Sequence, residues 1–408
     1  LDDADMKARA ARYVDYIITH QEPDGWLCPT AGQRREEYDL WAFFLMLKVL
    51  VLYHGFTGDV RVERCVRESF RAIDRHIDRR TLFNWGQTRW FEALIALYWL
   101  YERAPEPWLL DLATKLRAQG FDWIALYERW PYTAPHEPRR WSQMNHVVNQ
   151  AMMLKSGPLL WRLTGDPEHL RAAERMMRLL DEYHGMVTGV FSGDECLAGK
   201  SPIRGTELCA VAELMYSLEH LTAITGAAHW GDRLEQVAFN ALPATFSPDM
   251  WTHQYDQQVN QVQCTTQERP VFGTNGGQAH LFGLEPNYGC CTANLGQPWP
   301  KFALSTWMRS DDGFAVTAYA PVEVRTEHHG VPVVFRVETE YPFRDTVRIG
   351  VEVPQPVAFT MELRVPAWAR GAQLVIGGEA HELAAGGYHP LQRMWSESVE
   401  MELRLPME

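Results

Sequence analysis

Apolar residues recur at steps of three and four over roughly the first 245 positions and at steps of two over the last hundred or so. In the opening segment Met6, Ala10, Val14, Ile17 and Ile18 keep the helical period until Gln21-Glu22-Pro23-Asp24-Gly25 interrupts it. The same period runs through 40–53, 91–101, 147–163 and 208–221, and each stretch is predicted to be a helix. Short turns fall between paired helices at Thr57-Gly58-Asp59, Ala104-Pro105-Glu106, Thr164-Gly165-Asp166 and Thr225-Gly226-Ala227. Their separations, 47 to 61 residues, equal two helices and two connections, so the chain carries an internal repeat. Repeated helical pairs close into a toroid or stack as an open solenoid. The long, irregular, aromatic-rich loops between these pairs favour the toroid.

Beyond position 310 the period is that of strands. Runs at 316–321, 333–337, 347–353, 359–365, 374–376 and 399–405 are separated by turns rich in Gly, Pro and Asp, which predicts an antiparallel β-sandwich. The expected organisation is therefore mainly α with a β domain, a helical domain over 1–310 and a structural β-sandwich over 311–408. The chain opens inside an apparent helix and ends on an apparent strand edge, so both domains are expected to be trimmed. Residues 246–310 keep no period and hold Trp251, His253, Tyr255 and Trp299. A non-repetitive segment of that length inside a compact domain points to function.

Composition narrows the function classes. The 408 residues are 46% hydrophobic, enough for two cored domains. A net charge of −13 argues against a nucleic-acid partner. No apolar run approaches the roughly 18 residues that span a bilayer, so no membrane partner is expected. Seven cysteines do not pair off into a disulfide framework, which favours a reducing, cytoplasmic setting. Secretion stays open because the start of the chain looks incomplete, and a homodimer stays open as well. Sixteen Trp, 15 Tyr and 17 Phe are many large aromatics, most of them expected in the core and a fraction in a groove, where aromatic faces pack on the C–H faces of sugars.

The candidate chemistry centres on Cys290-Cys291. Adjacent cysteines close only a strained ring on oxidation, whereas two thiols held side by side suit a soft metal such as zinc. Glu207-Leu208-Cys209 adds a carboxylate and a third thiol, the ligand count of a tetrahedral zinc. The spacing alone matches no finger or Cys-x-x-Cys pattern, and buried inert cysteines remain the other reading. Gly205-Thr206 reads as the N-cap of the 208–221 helix, which would put Glu207 and Cys209 at i and i+2 of its first turn.

Glu207-x-Cys209, the Cys290-Cys291 pair and Phe191-Ser-Gly-Asp-Glu195 together resemble glycoside hydrolase family 127, the β-L-arabinofuranosidases. Asn145-His146-Val-Val-Asn149, Leu363-Arg-Val-Pro-Ala-Trp368 and Leu403-Arg-Leu-Pro-Met407 extend the likeness over nearly the whole chain. The resemblance implies an (α/α)6-barrel before the sandwich, and a zinc ion held by Glu207, Cys209, Cys290 and Cys291. It implies Cys290 as nucleophile in a retaining hydrolysis of a terminal β-L-arabinofuranosyl or similar pentose residue, with carbohydrate as the partner. It places the acid/base on Glu195, with Asp194 as the alternative, and expects that carboxyl to have a raised pKa. His146 matches a sugar-contacting histidine. Arg89 falls near where family members carry another histidine, and Tyr288 where some carry a third clustered cysteine; Arg89, Tyr288 and Asp194 join His146 as expected substrate contacts. Two rivals stand beside this reading: a carboxylate-dependent (α/α)-barrel lyase or hydrolase with inert cysteines, and a non-catalytic carbohydrate-binding protein with a structural zinc.

Overall fold

The helical period of the first half is realised as a series of packed helices. The computed structural model describes residues 3–30, 34–136, 140–266, 268, 276, 278–283 and 289–407, which fall into two compact units. The first, Leu1–Arg129 with Leu159–Ala173, holds α1 (Ala4–Thr19), α2 (Trp41–Thr57), α3 (Arg61–Ile77), α4 (Asn84–Thr88), α5 (Glu92–Arg103), α6 (Pro107–Gln119) and α7 (Trp123–Glu128). Asp3 caps α1 by accepting the Met6 N–H at 2.9 Å. Phe43, Phe44 and Leu47 of α2 are fully buried, as are Phe70 and Ile73 of α3 and Leu94 and Leu97 of α5. A buried Lys48–Glu92 ion pair of 2.5 Å crosses from α2 to α5. Gly58 ends α2 at φ +65°, a backbone state that any side chain would strain.

The second unit, Trp130–Pro158 with Glu174–Glu408, contains α8 (Val147–Met153), and α9 (Ser156–Thr164) and α10 (Glu168–His184) each begin in one unit and end in the other. The single helix expected over 147–163 is thus two. Pro158 has no N–H to give and its ring crowds the carbonyl four residues back, that of Leu154, where the helix stops. Four short strands follow: β1 (Gly193–Asp194), β2 (Cys196–Leu197), β3 (Gly205–Glu207) and β4 (Asp256–Gln258), in the order β2-β1-β3-β4. Next to them runs α11 (Leu208–Thr225), buried on almost every side, as a helix apolar all round must be. The unit continues with α12 (Ala228–Gln236), α13 (Gly289–Leu295) and α14 (Pro298–Ser305).

The C-terminal strands are β5 (Trp307–Ser310), β6 (Gly313–Val316), β7 (Val322–His328), β8 (Val331–Thr339), β9 (Thr346–Val365), β10 (Ala372–Ile376), β11 (Glu379–Leu383) and β12 (Gly387–Arg404). They pair as β11-β10-β12-β9-β6-β5, with the β7–β8 hairpin joined to β9, and every pair is antiparallel except β6–β9. The two runs expected at 347–353 and 359–365 are one 20-residue strand. Pro354 and Pro356 lack the N–H a ladder needs, and the pairing with β12 shifts register there, between Trp395 and Glu397. Alternate residues of β8, β9 and β12, among them Phe335, Ile349, Met361, Trp395 and Leu403, fill the core of this region.

One polar cluster enters that core. Arg364 of β9 is fully buried and pairs with both Asp232 and Glu235 of α12. Glu235 also accepts the Tyr341 hydroxyl at 2.6 Å and the Tyr319 N–H at 2.7 Å. The β region therefore gathers polar groups that its strand pattern does not announce.

Glu219 on α11 is a second buried charge. Burial pushes its carboxyl up to about 8, offset in part by Lys301 and Lys155. The unfolded chain ionises this group near its ordinary 4.5, so between about 4.5 and about 8 the unfolded state binds fewer protons. Stability should therefore fall as pH rises across that window. Urea denaturation at several pH values should show this decline in the native protein and a flatter profile in Glu219→Gln. Equal slopes in the two proteins would mean that Glu219 is already ionised in the fold.

Candidate active site

Glu207 is the last residue of β3 and the N-cap of α11, extended at φ −66°, ψ 133°. It is therefore outside the helix that carries Cys209, which removes the difficulty of two ligands at i and i+2 on opposite helix sides. The expected cap at Gly205-Thr206 is instead strand, paired with Gln258 and Gln257 of β4. A bond of 2.9 Å from the Leu208 N–H to the Tyr255 carbonyl locks the junction. Cys290 and Cys291 sit in the first turn of α13, which a 3.0 Å contact between His253 and Thr292 ties to the segment leading into β4.

These elements bring the carboxylate and three thiols together. One ligand atom from each of Glu207, Cys209, Cys290 and Cys291 lies within 4.8 Å of the others. The Cys209 and Cys291 sulfurs are 3.2 Å apart and buried, whereas Cys290 is exposed. Hydrogen bonds from Cys209 and Cys291 hold the Cys290 thiol well below its usual value. The same bonds push Cys209 up, and burial pushes Cys291 up, so the negative charge rests on Cys290. Glu207 is driven up by burial first and then by the charges of Glu195 and Cys290. Its Oε2 is buried with no hydrogen-bond donor among the described residues. A buried acceptor without a donor, beside three thiols, is the environment that a thiophilic divalent cation completes.

Glu195 occupies the one-residue turn between β1 and β2, with Asp194 paired to Cys196 across it. Its φ of +71° is rare for a residue with a side chain. The Val147 N–H holds its carbonyl at 2.9 Å. Its carboxylate, with His146 and Glu207, forms a second cluster in which the ligand atoms are within 4.8 Å of one another. His146 caps α8: its Nδ1 accepts the Asn149 N–H at 3.3 Å, so the proton belongs on Nε2, 3.4 Å from Glu195 Oε1. The Tyr255 hydroxyl donates to the other carboxylate oxygen.

The expectation of a raised pKa fails at Glu195. Burial does push it up, but the hydrogen bonds from His146, Tyr255 and Trp141 outweigh burial and hold it below its usual value. Asp194 is the raised one, to about 6, through burial. Its side chain is bound to the Gly205 N–H at 2.5 Å and to Arg204 at 3.3 Å, and it belongs to neither cluster.

Arg89 lies in the first unit, its guanidinium over the Trp41 and Trp85 rings at 4.7 and 4.4 Å. Tyr288 lies outside the described residues. Tyr255 and Trp141 are the site residues the sequence did not single out. Tyr255 stood only as one aromatic of an irregular stretch, and Trp141 lies five residues before the histidine that drew notice.

The sequence signature of the β-L-arabinofuranosidase GH127 catalytic domain matches residues 1–304, and that of the GH127 middle domain matches residues 313–407. The chain belongs to glycoside hydrolase family 127. It is thus a glycoside hydrolase of the β-L-arabinofuranosidase family. Its fold is similar to a GH127 β-L-arabinofuranosidase from Geobacillus stearothermophilus T6, with 21% identity, a TM-score of 0.75, and coverage of 100% of this chain and 69% of that one. A second GH127 β-arabinofuranosidase has 19% identity, a TM-score of 0.69, and coverage of 100% and 68%. The fold class is that expected, an (α/α)-barrel helical domain followed by a β domain that is antiparallel but for one strand pair. No curated protein sequence matches the chain significantly. No helix among the described residues is long and apolar enough to cross a membrane.

Exposure and charge single out one thiol of this GH127 site. Iodoacetamide in the presence of a chelator, at pH 6, should alkylate Cys290 before the buried Cys28, Cys65, Cys196, Cys209 and Cys291. Peptide mass spectrometry showing Cys209 or Cys291 modified first would reverse the assignment of the charge.

Proposed function

We propose that this GH127 chain is a retaining exo-glycosidase that releases a terminal β-L-arabinofuranosyl residue, with residues 1–310 as its catalytic domain. The observation that carries the reading is one exposed thiol, Cys290, within 4.8 Å of Glu207, which in turn lies within 4.8 Å of Glu195 and His146. Glu207, Cys209, Cys290 and Cys291 would hold a zinc ion. When bound, zinc would stabilise the thiolate form of its cysteine ligands at neutral pH and satisfy the buried Glu207 oxygen.

The Cys290 sulfur attacks the anomeric carbon and the glycosidic C–O bond breaks, leaving the sugar on sulfur. Glu195 gives its proton to the departing oxygen. Water then attacks the same carbon while Glu195 takes back a proton, and Cys290 leaves as thiolate. Two inversions give net retention. His146, Tyr255 and Trp141 hold the Glu195 carboxylate in place, which suits its second role as base. Bound sugar displaces water and buries Glu195 further, a change that favours the protonated form its first role needs.

Replacing Cys209 or Cys291 with Ala should lower zinc content, read by elemental analysis, and hydrolysis together. A variant that keeps one zinc per chain does not lack a ligand.

Glu195→Gln should keep the fold and lose about 10²–10⁴-fold in kcat, with a smaller loss on substrates bearing a good leaving group. NMR of the first-formed sugar should show the retained anomer. An inverted product would leave Cys290 outside the bond-making steps, and the same pattern in Asp194→Asn but not Glu195→Gln would move the acid to Asp194.

A further inference from the structure

Away from this site, the second unit contains a cavity of about 1090 Å³ whose walls come from α10, α12, α14 and the β region. Its chemistry is mixed. Trp368, 44% exposed, stands over Tyr341 with the two ring planes only 13° apart, and Trp299 forms another wall. Flat apolar faces of this kind accept the C–H face of a sugar ring. The indole N–H groups of Trp230 and Trp299 are buried and have no acceptor among the described residues, and Trp230 is only 3% exposed. Both N–H groups are shielded from solvent, so a ligand would meet the ring faces rather than these edges.

The charges of the wall cancel. Four acids, Glu174, Asp181, Asp232 and Glu235, stand against three arginines, Arg178, Arg233 and Arg364, and against His229, whose charged form Glu174 favours from 2.9 Å. The planar groups that remain on the surface, Arg178 and Asn240, can serve neighbouring hydroxyls. A charged ligand would find no field to hold it, whereas a neutral one with many hydroxyls and apolar faces fits each feature. We propose that this cavity is a second carbohydrate-binding site, separate from the hydrolytic centre, that takes a neutral oligosaccharide. It would keep the enzyme on a glycan while the hydrolytic centre removes terminal residues, by raising the local concentration of chain ends.

The test uses the zinc-loaded, full chain as Glu195→Gln, which cannot turn over the probe, titrated calorimetrically with an arabinofuranosyl tetrasaccharide. Two binding events are expected. Trp368→Ala should weaken one of them at least tenfold and leave the other unchanged, with hydrolysis of a small aryl arabinofuranoside unaltered in the otherwise native enzyme. Arg178→Ala, on α10, should weaken the same event and guards against a misfolded tryptophan variant. A single event untouched by both variants overturns the proposal, as does loss of both events together. Because binding at the cavity is read in a catalytically silent protein, it can stand or fall without the hydrolytic mechanism.

Discussion

A carboxylate and three thiols, all but Cys290 buried, cannot be gathered within 4.8 Å of one another without a means of holding their charge. Much of the surrounding structure answers that constraint. Cys209 and Cys291 direct their hydrogen bonds at Cys290, which concentrates the charge on the thiol that reaches solvent. Glu207 is left with an oxygen that no donor among the described residues meets. The donors of the cluster have the softness that suits a thiophilic cation. An exposed thiol held below its usual pKa is available for reaction.

Backbone geometry delivers the second group to this place. Glu195 is held at positive φ in a one-residue turn, a conformation the chain sustains because Val147 and the β1–β2 pairing fix both sides of it. Its carboxylate then meets donors from three other segments, His146 at the start of α8, Tyr255 before β4, and Trp141. The arrangement trades backbone comfort for aim. Asp194, the neighbour with the easier backbone, turns instead toward Arg204 and Gly205. Choice between adjacent acids is decided by which side of the turn each occupies.

Much of the architecture was legible in the sequence, because periodicity reports which face of an element is buried. The helices of the first half, their glycine turns and the switch to strands all followed from that signal. It failed where a single residue overrode the pattern: Pro158 divides one expected helix, and Pro354 and Pro356 look like a strand break but mark a bulge in one long strand. The metal-type ligands were legible as residue types and, through the family likeness, as a set. The environment of Glu195 was not. Three donors that lower its pKa come from positions 54 residues upstream to 60 downstream, and no local pattern foretells that meeting. The buried Arg364 cluster was hidden for the same reason, since an arginine in a strand pattern reads as an outward residue.

The two carboxylates of the centre are also anchored on neighbouring strands of one small sheet. Glu195 is fixed by its own turn and by α8, Glu207 by β4 and the start of α11, and β1 pairs with β3, so the spacing of the two acids is set by the sheet rather than by residues 198–204. Chain length in that loop is therefore free to drift: residues could be added or lost at its outer end without displacing either acid. Counting positions from one carboxylate to the other is then a poor ruler for locating such a centre in a sequence, and the strand that each acid terminates is the better landmark.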